Sequence, residues 1–158
     1  MSLFASRRSA LLLAASALAA TLGVTACGGG GSNSGTPSTG DGYGWSSVTA
    51  LKVTDNVLGT GATAAAGSKA TVTYSGYLYD VRVADTRGTK FDAGSFQFTL
   101  GTTPLQVITG FDQGVTGMKV GGKRTIVIPA SLGYGASGYG TIPGGAALVF
   151  DVELTAVN

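Results

Sequence analysis

Residues 69–78 read KATVTYSGYL, and this stretch decides how the fold is interpreted. Apolar and aromatic side chains alternate there with small or polar ones, as at Val72 and Tyr74. Because successive side chains of a strand point to opposite faces of a sheet, a period of two predicts a strand with one buried face. A strand of this kind needs partner strands, which the rest of the chain must supply.

Further runs of β-branched and aromatic residues lie on both sides of this stretch. They are residues 51–54, 96–100, 123–129 and 147–157. Glycine-rich turn signals such as Gly121-Gly122 separate them. The pattern predicts an antiparallel sheet.

Only residues 105–115 have helical spacing, because their apolar residues recur three or four positions apart. Gly110 and Gly114 lower the intrinsic helix propensity, so we expect a short helix that packing stabilises. One short helix can cover one face of a sheet. The predicted fold class is therefore α+β, with a bent antiparallel sheet wrapped around a single helix.

The composition excludes several kinds of chemistry. The chain has no histidine, so zinc sites built on histidine and Ser–His–Asp triads are excluded, and we expect no metal or cofactor. Beyond Arg7 and Arg8 the basic and acidic residues balance. A neutral domain without a basic stripe is a poor partner for nucleic acid.

Residues 1–26 are expected to be a signal peptide. Arg7 and Arg8 precede an apolar run, 10–24, whose fifteen residues at about 1.5 Å each would span about 22 Å. That length falls short of the roughly 30 Å hydrocarbon core of a bilayer. It is typical of a secretory signal, and a true membrane anchor helix is the alternative.

The end of this run, Val24-Thr25-Ala26-Cys27, resembles the lipobox of bacterial lipoproteins. The resemblance implies that Cys27, the only cysteine, is lipidated and anchors the chain to a membrane. The alternative is a plain signal peptide with an incidental cysteine. By analogy with lipoprotein sorting, Gly28 in place of aspartate favours the periplasmic side of the outer membrane. Residues 27–47, which are rich in glycine and serine, are predicted to link Cys27 to a domain at 48–158.

Six runs of this domain follow one another in a recognisable order. They are ATVTYSGYL (70–78), GTKFDA (88–93), QVITGF (106–111), GVTGMKVGGKR (114–124), LGYGA (132–136) and LVFDVEL (148–154). Together they resemble the FKBP-type peptidyl-prolyl cis-trans isomerases across 48–158. The resemblance implies five or six antiparallel strands curled over a short helix. It also implies rotation of X–Pro bonds in exported proteins, which would assist their folding without a cofactor.

The resemblance further implies a set of site residues. The catalytic positions are Tyr74, Asp92 and Tyr134, and the substrate-binding positions are Phe91, Phe98, Val107, Ile108, Phe111, Ile142 and Phe150. Phe111 stands where the family usually has a tryptophan beneath the proline ring. Tyr134 through its hydroxyl and Ile142 through its backbone N–H are expected to donate to substrate carbonyls, while Asp92 orients Tyr74. Phe96 and Val149 are interpreted as core or surface residues.

Two segments depart from the family pattern. Residues 80–87 form an insertion, and the loop 92–95 is shortened and lacks an arginine that commonly braces the tyrosine and the aspartate. We expect neither Arg82 nor Arg87 to replace it. The ligands implied are proline-containing polypeptides and the macrolide inhibitors of the family, although the short loop alters the macrolide surface. The alternative function is a non-catalytic module that binds proline-containing segments, as a holdase or surface protein.

Overall fold

The structure, a computed structural model, describes residues 41–158. The predicted signal peptide, Cys27 and most of the predicted linker lie outside the described residues. The strands and the helix are β1 (Lys52–Val57), β2 (Lys69–Tyr79), β3 (Arg87–Thr99), α1 (Thr109–Val115), β4 (Lys123–Ile128) and β5 (Leu148–Val157). Among the residues described, no helix combines the length and apolar character needed to cross a membrane.

The five strands form one sheet in the order β1-β4-β5-β2-β3. Every neighbouring pair is antiparallel, which confirms the predicted α+β class. Strand β2 lies between β5 and β3, so the alternating stretch at residues 69–78 belongs to an interior strand. β3 begins at Arg87 instead of residue 96, and the expected loop at 92–95 is part of that strand.

Helix α1 is shorter than its periodicity predicted, because it begins at Thr109 and not at residue 105. Its two glycines lie against β4. A Cβ atom on Gly114 would come within 2.6 Å of the Ile126 Cδ1 atom, and one on Gly110 would meet Ile128. The glycines therefore let the helix approach the sheet closely, which outweighs their low propensity.

The core lies between α1 and the sheet. Along β5, Leu148, Phe150, Val152 and Leu154 alternate towards the helix and are almost fully buried. Val149, on the opposite face, is also fully buried. The alternation that predicted the strand thus produces the main apolar layer.

The boundary predicted between linker and domain is corrected by the structure. Short 3₁₀ turns occur at Asp41–Tyr43 and Trp45–Ser47, and Trp45 is only 5% exposed within the core. The sequence predicts a linker up to Ser47 because residues 27–47 are rich in glycine and serine. The folded part begins before Val48.

Candidate functional site

An aromatic cluster lies between α1 and the helix-facing side of the sheet. The ring centroids of Phe111 and Phe150 are 5.2 Å apart, and each lies 6.1 Å from that of Tyr74. Phe91 meets Phe150 edge to face at 5.6 Å. Strands β2, β3 and β5 and the helix each contribute at least one ring, so predicted positions far apart in sequence converge.

Burial within the cluster is graded. Phe111 and Phe150 are 3% and 4% exposed, whereas Tyr74, Phe91 and Tyr134 are half-buried. The deep rings form an apolar floor, and the half-buried ones form a rim that a ligand can reach. Such an arrangement suits a small apolar ring with a few polar groups beside it.

Gly76 permits the contact between two of these rings. A Cβ atom at this position would lie 2.7 Å from the Phe91 Cζ atom and 2.8 Å from the Phe150 Cε1 atom. Any side chain on Gly76 would therefore push the rings aside. The site therefore requires glycine at position 76 of β2, between Ser75 and Tyr77.

The structure corrects the assignment of the two phenylalanines of β3. Phe98, predicted to bind substrate, has ring contacts with Phe96 and Phe111 but none with Tyr74, Phe91 or Phe150 among the described residues, so it supports the floor from the core. Phe96, interpreted as core or surface, is half-buried and meets Tyr74 edge to face at 5.3 Å. Both face the helix because they are two residues apart on one strand. Their distance from Tyr74 across the β2–β3 pair could have distinguished them.

Tyr74 and Asp92 form the polar pair of the rim. The Tyr74 hydroxyl donates to the Asp92 Oδ2 atom at 2.5 Å, and Asp92 Oδ1 accepts from the Ala93 N–H at 2.9 Å. Burial, and then the hydrogen bond to Asp92, raises the pKa of Tyr74 well above its ordinary value. Tyr74 therefore stays protonated at any physiological pH, and Asp92 fixes its orientation.

Neither candidate arginine is hydrogen-bonded to Asp92. Arg82 pairs with Asp80 at 2.8 Å, and Arg87 pairs with Asp151 through two contacts of 2.6 and 2.7 Å. The hydrogen bond from Arg82 holds the pKa of Asp80 below its usual value. The role of the missing family arginine is therefore not taken over by either residue.

Tyr134 lies in the segment between β4 and β5 and carries a second hydroxyl. Its ring stacks on that of Tyr139, with centroids 5.4 Å apart and planes 15° from parallel. Burial, followed by the charge of Asp92 and by Tyr139, raises the pKa of Tyr134. Its hydroxyl is hydrogen-bonded to no other residue within 41–158. It is a neutral donor that can bind a ligand carbonyl.

The expected role of the Ile142 N–H is corrected. This group donates to the Tyr139 carbonyl at 2.9 Å, and its side chain is 6% exposed. Ile108, which directly precedes α1, has an N–H that finds no acceptor among the described residues. Its carbonyl accepts from the Phe111 N–H at 3.0 Å, which places it beside the floor. Ile108 is the better backbone donor, and Val107 and Ile108 both pack partly buried against the core.

Metal ligands are not gathered in the described part of the chain. No group of three or more histidine, cysteine, aspartate or glutamate side chains is placed there to hold an ion.

Comparison with known proteins agrees with this geometry. The sequence model of the family described as FKBP-type peptidyl-prolyl cis-trans isomerase matches residues 61–155. An FK506-binding protein of Neisseria meningitidis serogroup C is 46% identical over 103 residues, which cover 61% of this chain and 86% of that protein. The peptidyl-prolyl cis-trans isomerase FKBP15-2 of Arabidopsis thaliana is 51% identical over 94 residues, covering 58% of this chain and 55% of that protein.

Solved structures are similar as well. FkpA from Escherichia coli has a TM-score of 0.58 at 34% identity, with 70% of this chain and 49% of that chain covered. A peptidyl-prolyl cis-trans isomerase from Pseudomonas syringae pv. tomato has a TM-score of 0.57 at 33% identity, covering 68% and 75%. The chain spans about half the length of several curated relatives that it matches.

Proposed function

This chain belongs to the family of FKBP-type peptidyl-prolyl cis-trans isomerases, and we propose that it catalyses rotation about X–Pro peptide bonds. The observation that carries the proposal is the convergence of Tyr74, Phe91, Phe111 and Phe150 on one apolar floor and rim. The neutral donors of Tyr134 and Ile108 lie in the segments beside it.

The reaction requires no bond to be broken. The barrier to rotation of a peptide bond is about 18–20 kcal/mol, because resonance gives the C–N bond partial double-bond character. Uncatalysed X–Pro isomerisation therefore takes tens to hundreds of seconds. Every tenfold acceleration requires the barrier to fall by about 1.4 kcal/mol.

An apolar site lowers this barrier by binding the twisted amide better than the planar one. Water stabilises the charge-separated planar form, and this charge separation is lost at the twisted geometry. A proline ring seated on Phe111 and Phe150 leaves water behind, which removes that stabilisation of the planar amide. The aromatic rim holds the neighbouring residues while rotation occurs.

Two hydrogen bonds orient the substrate. The Tyr134 hydroxyl donates to one substrate carbonyl and the Ile108 N–H to another, and both donors are uncharged. Asp92 acts through Tyr74, whose ring forms part of the wall, so Asp92 is a positioning residue. No proton is transferred in this scheme, and the raised pKa values of Tyr74 and Tyr134 keep both groups in one state.

A binding module without catalysis is the second candidate, and one observation favours it. Neither Arg82 nor Arg87 is hydrogen-bonded to Asp92, so the hydrogen-bonded pair of Tyr74 and Asp92 has less support than the family pattern implies. A module of this kind would hold proline-containing segments in the same aromatic site. Binding and catalysis must therefore be measured separately.

The test is an isomerisation assay with a proline-containing peptide and the purified chain. We expect the rate to rise in proportion to protein concentration, and Phe91→Ala to lower kcat/KM more than Tyr134→Phe does. Tyr77→Phe, which changes a half-buried tyrosine on another part of β2, is the control. If the protein binds the peptide but the isomerisation rate stays at the uncatalysed value, the binding module is favoured. If the protein neither binds the peptide nor accelerates its isomerisation, both candidates are contradicted.

We also propose export and anchoring through a lipid on Cys27 at the periplasmic face of the outer membrane. The basic pair Arg7-Arg8, the apolar run and the sequence before Cys27 support this. The enzyme would then act on exported proteins and assist their folding. Mass spectrometry of Cys27 should detect acyl chains, and Cys27→Ser should release the protein from membranes; an unmodified cysteine would contradict the proposal.

Macrolide binding at the same site is a further part of the proposal. Several relatives are named FK506-binding proteins. FK506 should compete with the proline peptide for the aromatic floor. Residues 92–95 are part of strand β3 and do not form the longer loop of the family pattern, so the surface beside the floor differs. We therefore expect FK506 to inhibit this chain weakly even if the proline peptide binds well.

A further inference from the structure

The inserted segment between β2 and β3 has no part in the proposed function. Residues 80–86 form a compact turn: the Asp80 N–H donates to the Thr86 carbonyl at 3.0 Å, and the Thr86 N–H donates to the Val83 carbonyl at 2.9 Å. Asp80 is buried and accepts from the Arg82 backbone N–H and from two guanidinium nitrogens. The turn therefore presents Arg82 in a fixed direction.

The Arg82 guanidinium lies over an aromatic pair from the N-terminal segment. Its central carbon is 4.1 Å from the centre of the Tyr43 ring. That ring stacks on Trp45 with centroids 5.1 Å apart and planes 14° from parallel. A cation over the face of an electron-rich ring is attracted to it, so Arg82 stabilises Tyr43, which in turn stacks on Trp45.

Backbone groups hold the same segment from both ends. The Val81 N–H donates to the Tyr43 carbonyl at 3.0 Å, and the Trp45 indole N–H donates to the Tyr79 carbonyl at 2.7 Å. Between them Gly44 has a φ of 76°, and a Cβ atom there would lie 2.5 Å from the Val81 Cγ1 atom. Only glycine fits between the two aromatic residues.

We propose that residues 79–87 are a docking surface for the chain's own segment Tyr43-Gly44-Trp45, and that Arg82 closes it. Tyr43 meets this surface through the Arg82 cation and a backbone hydrogen bond, Gly44 through its close fit against Val81, and Trp45 through its indole N–H. The insertion is then explained as a clasp that binds the incoming chain to the end of β2. Tyr43, Gly44 and Trp45 then belong to the folded part, although the sequence assigned them to the linker. This proposal does not depend on catalysis.

Trp45 is the only tryptophan of the chain, so its fluorescence reports on the clasp directly. In the full chain its emission should be that of a buried indole, and acrylamide should quench it weakly. We expect Arg82→Ala to raise the quenching constant several-fold and to shift the emission to longer wavelength. Lys90→Ala is the matched control, since Lys90 lies over the Tyr77 ring at 5.9 Å, away from the clasp.

A second variant guards against general unfolding. Tyr43→Ala leaves the Asp80–Arg82 pair intact and should raise quenching as Arg82→Ala does, while far-ultraviolet circular dichroism keeps its strand signal. Combined in one chain, the two changes should add little beyond either alone, because they remove the same contact. Unchanged quenching in Arg82→Ala, an equal effect of Lys90→Ala, or full additivity would overturn the proposal.

Discussion

Gly76→Ala tests whether the floor of the site depends on an absent side chain. The new Cβ atom would lie 2.7 Å from the Phe91 Cζ atom and 2.8 Å from the Phe150 Cε1 atom. Carbon atoms in ordinary contact are about 3.5–4.0 Å apart, so the rings must retreat by about 1 Å. Phe150 is buried and packs against Phe111 at 5.2 Å, which leaves it little room to move.

The expected cost follows from two opposing effects. Overpacking a buried site costs about 1–3 kcal/mol, while replacing glycine by alanine in a strand gains about 0.5–1 kcal/mol. The net loss is about 1 kcal/mol at the middle of these ranges and at most about 2.5 kcal/mol, and each kcal/mol lowers Tm by about 4 °C for a domain of this size. A misplacement of about 1 Å at a reacting centre can cost on the order of 100-fold, so kcat/KM should fall by at least about tenfold.

Gly94→Ala is the matched control for this change. Gly94 lies opposite Tyr74 on β3, and a Cβ atom there would be 3.7 Å from the nearest Tyr74 atom, which is ordinary contact. This variant should keep its kcat/KM and gain about 0.5 kcal/mol of stability. Thermal melting and the isomerisation assay are run on both variants. If Gly76→Ala kept the wild-type Tm and kcat/KM, the contact between Phe91 and Phe150 would not shape the site.

Three other changes probe separate parts of the account. Gly114→Ala should lower the free energy of unfolding by about 1–2 kcal/mol in urea titration, because its Cβ atom would meet Ile126 at 2.6 Å; a gain of about 1 kcal/mol, as helix propensity alone predicts, would contradict this packing. Tyr139→Ala should lower kcat/KM several-fold by freeing the Tyr134 ring, and Tyr139→Phe should restore it; equal effects of the two variants would exclude stacking as the cause. Burial raises the pKa of Asp151, but hydrogen bonds from its arginine and threonine partners outweigh it, so the net pKa lies below its ordinary value. Its folded pKa thus lies below the unfolded one of about 3.9, and the stability it contributes is present above that pH and lost below it. The difference in Tm between wild type and Asp151→Asn should therefore shrink as the pH falls from about 5 to about 3; a difference that stayed constant would exclude this ion pair as its source.

The strands were predictable because each signal is local. Alternation in β2, β4 and β5 places apolar side chains on one face, whatever the rest of the chain does. The bounds of the helix were less predictable than the strands. Leu105 and Ile108 continue its spacing, yet α1 begins only at Thr109, since no sequence period states where a helix must begin.

The errors at the site and at its boundary come from contacts that composition and periodicity do not show, two of them long-range and one within a local turn. Trp45 lies in the core and donates its indole N–H to the Tyr79 carbonyl, 34 residues away, and its glycine-rich neighbourhood gives no sign of that contact. The Ile142 N–H is occupied because a tight turn returns it to Tyr139. Phe96 and Phe98 share one face, so only the register with Tyr74 separates the wall of the site from its core.

The proposed function places the proline ring of a substrate on the aromatic floor. Nuclear Overhauser effects between the proline ring of a bound peptide and the aromatic protons of this chain test it most directly. We expect contacts to Phe111 and Phe150, with the proline resonances shifted upfield by the rings. Contacts confined to the opposite face of the sheet, around Arg87 and Asp151, would contradict it.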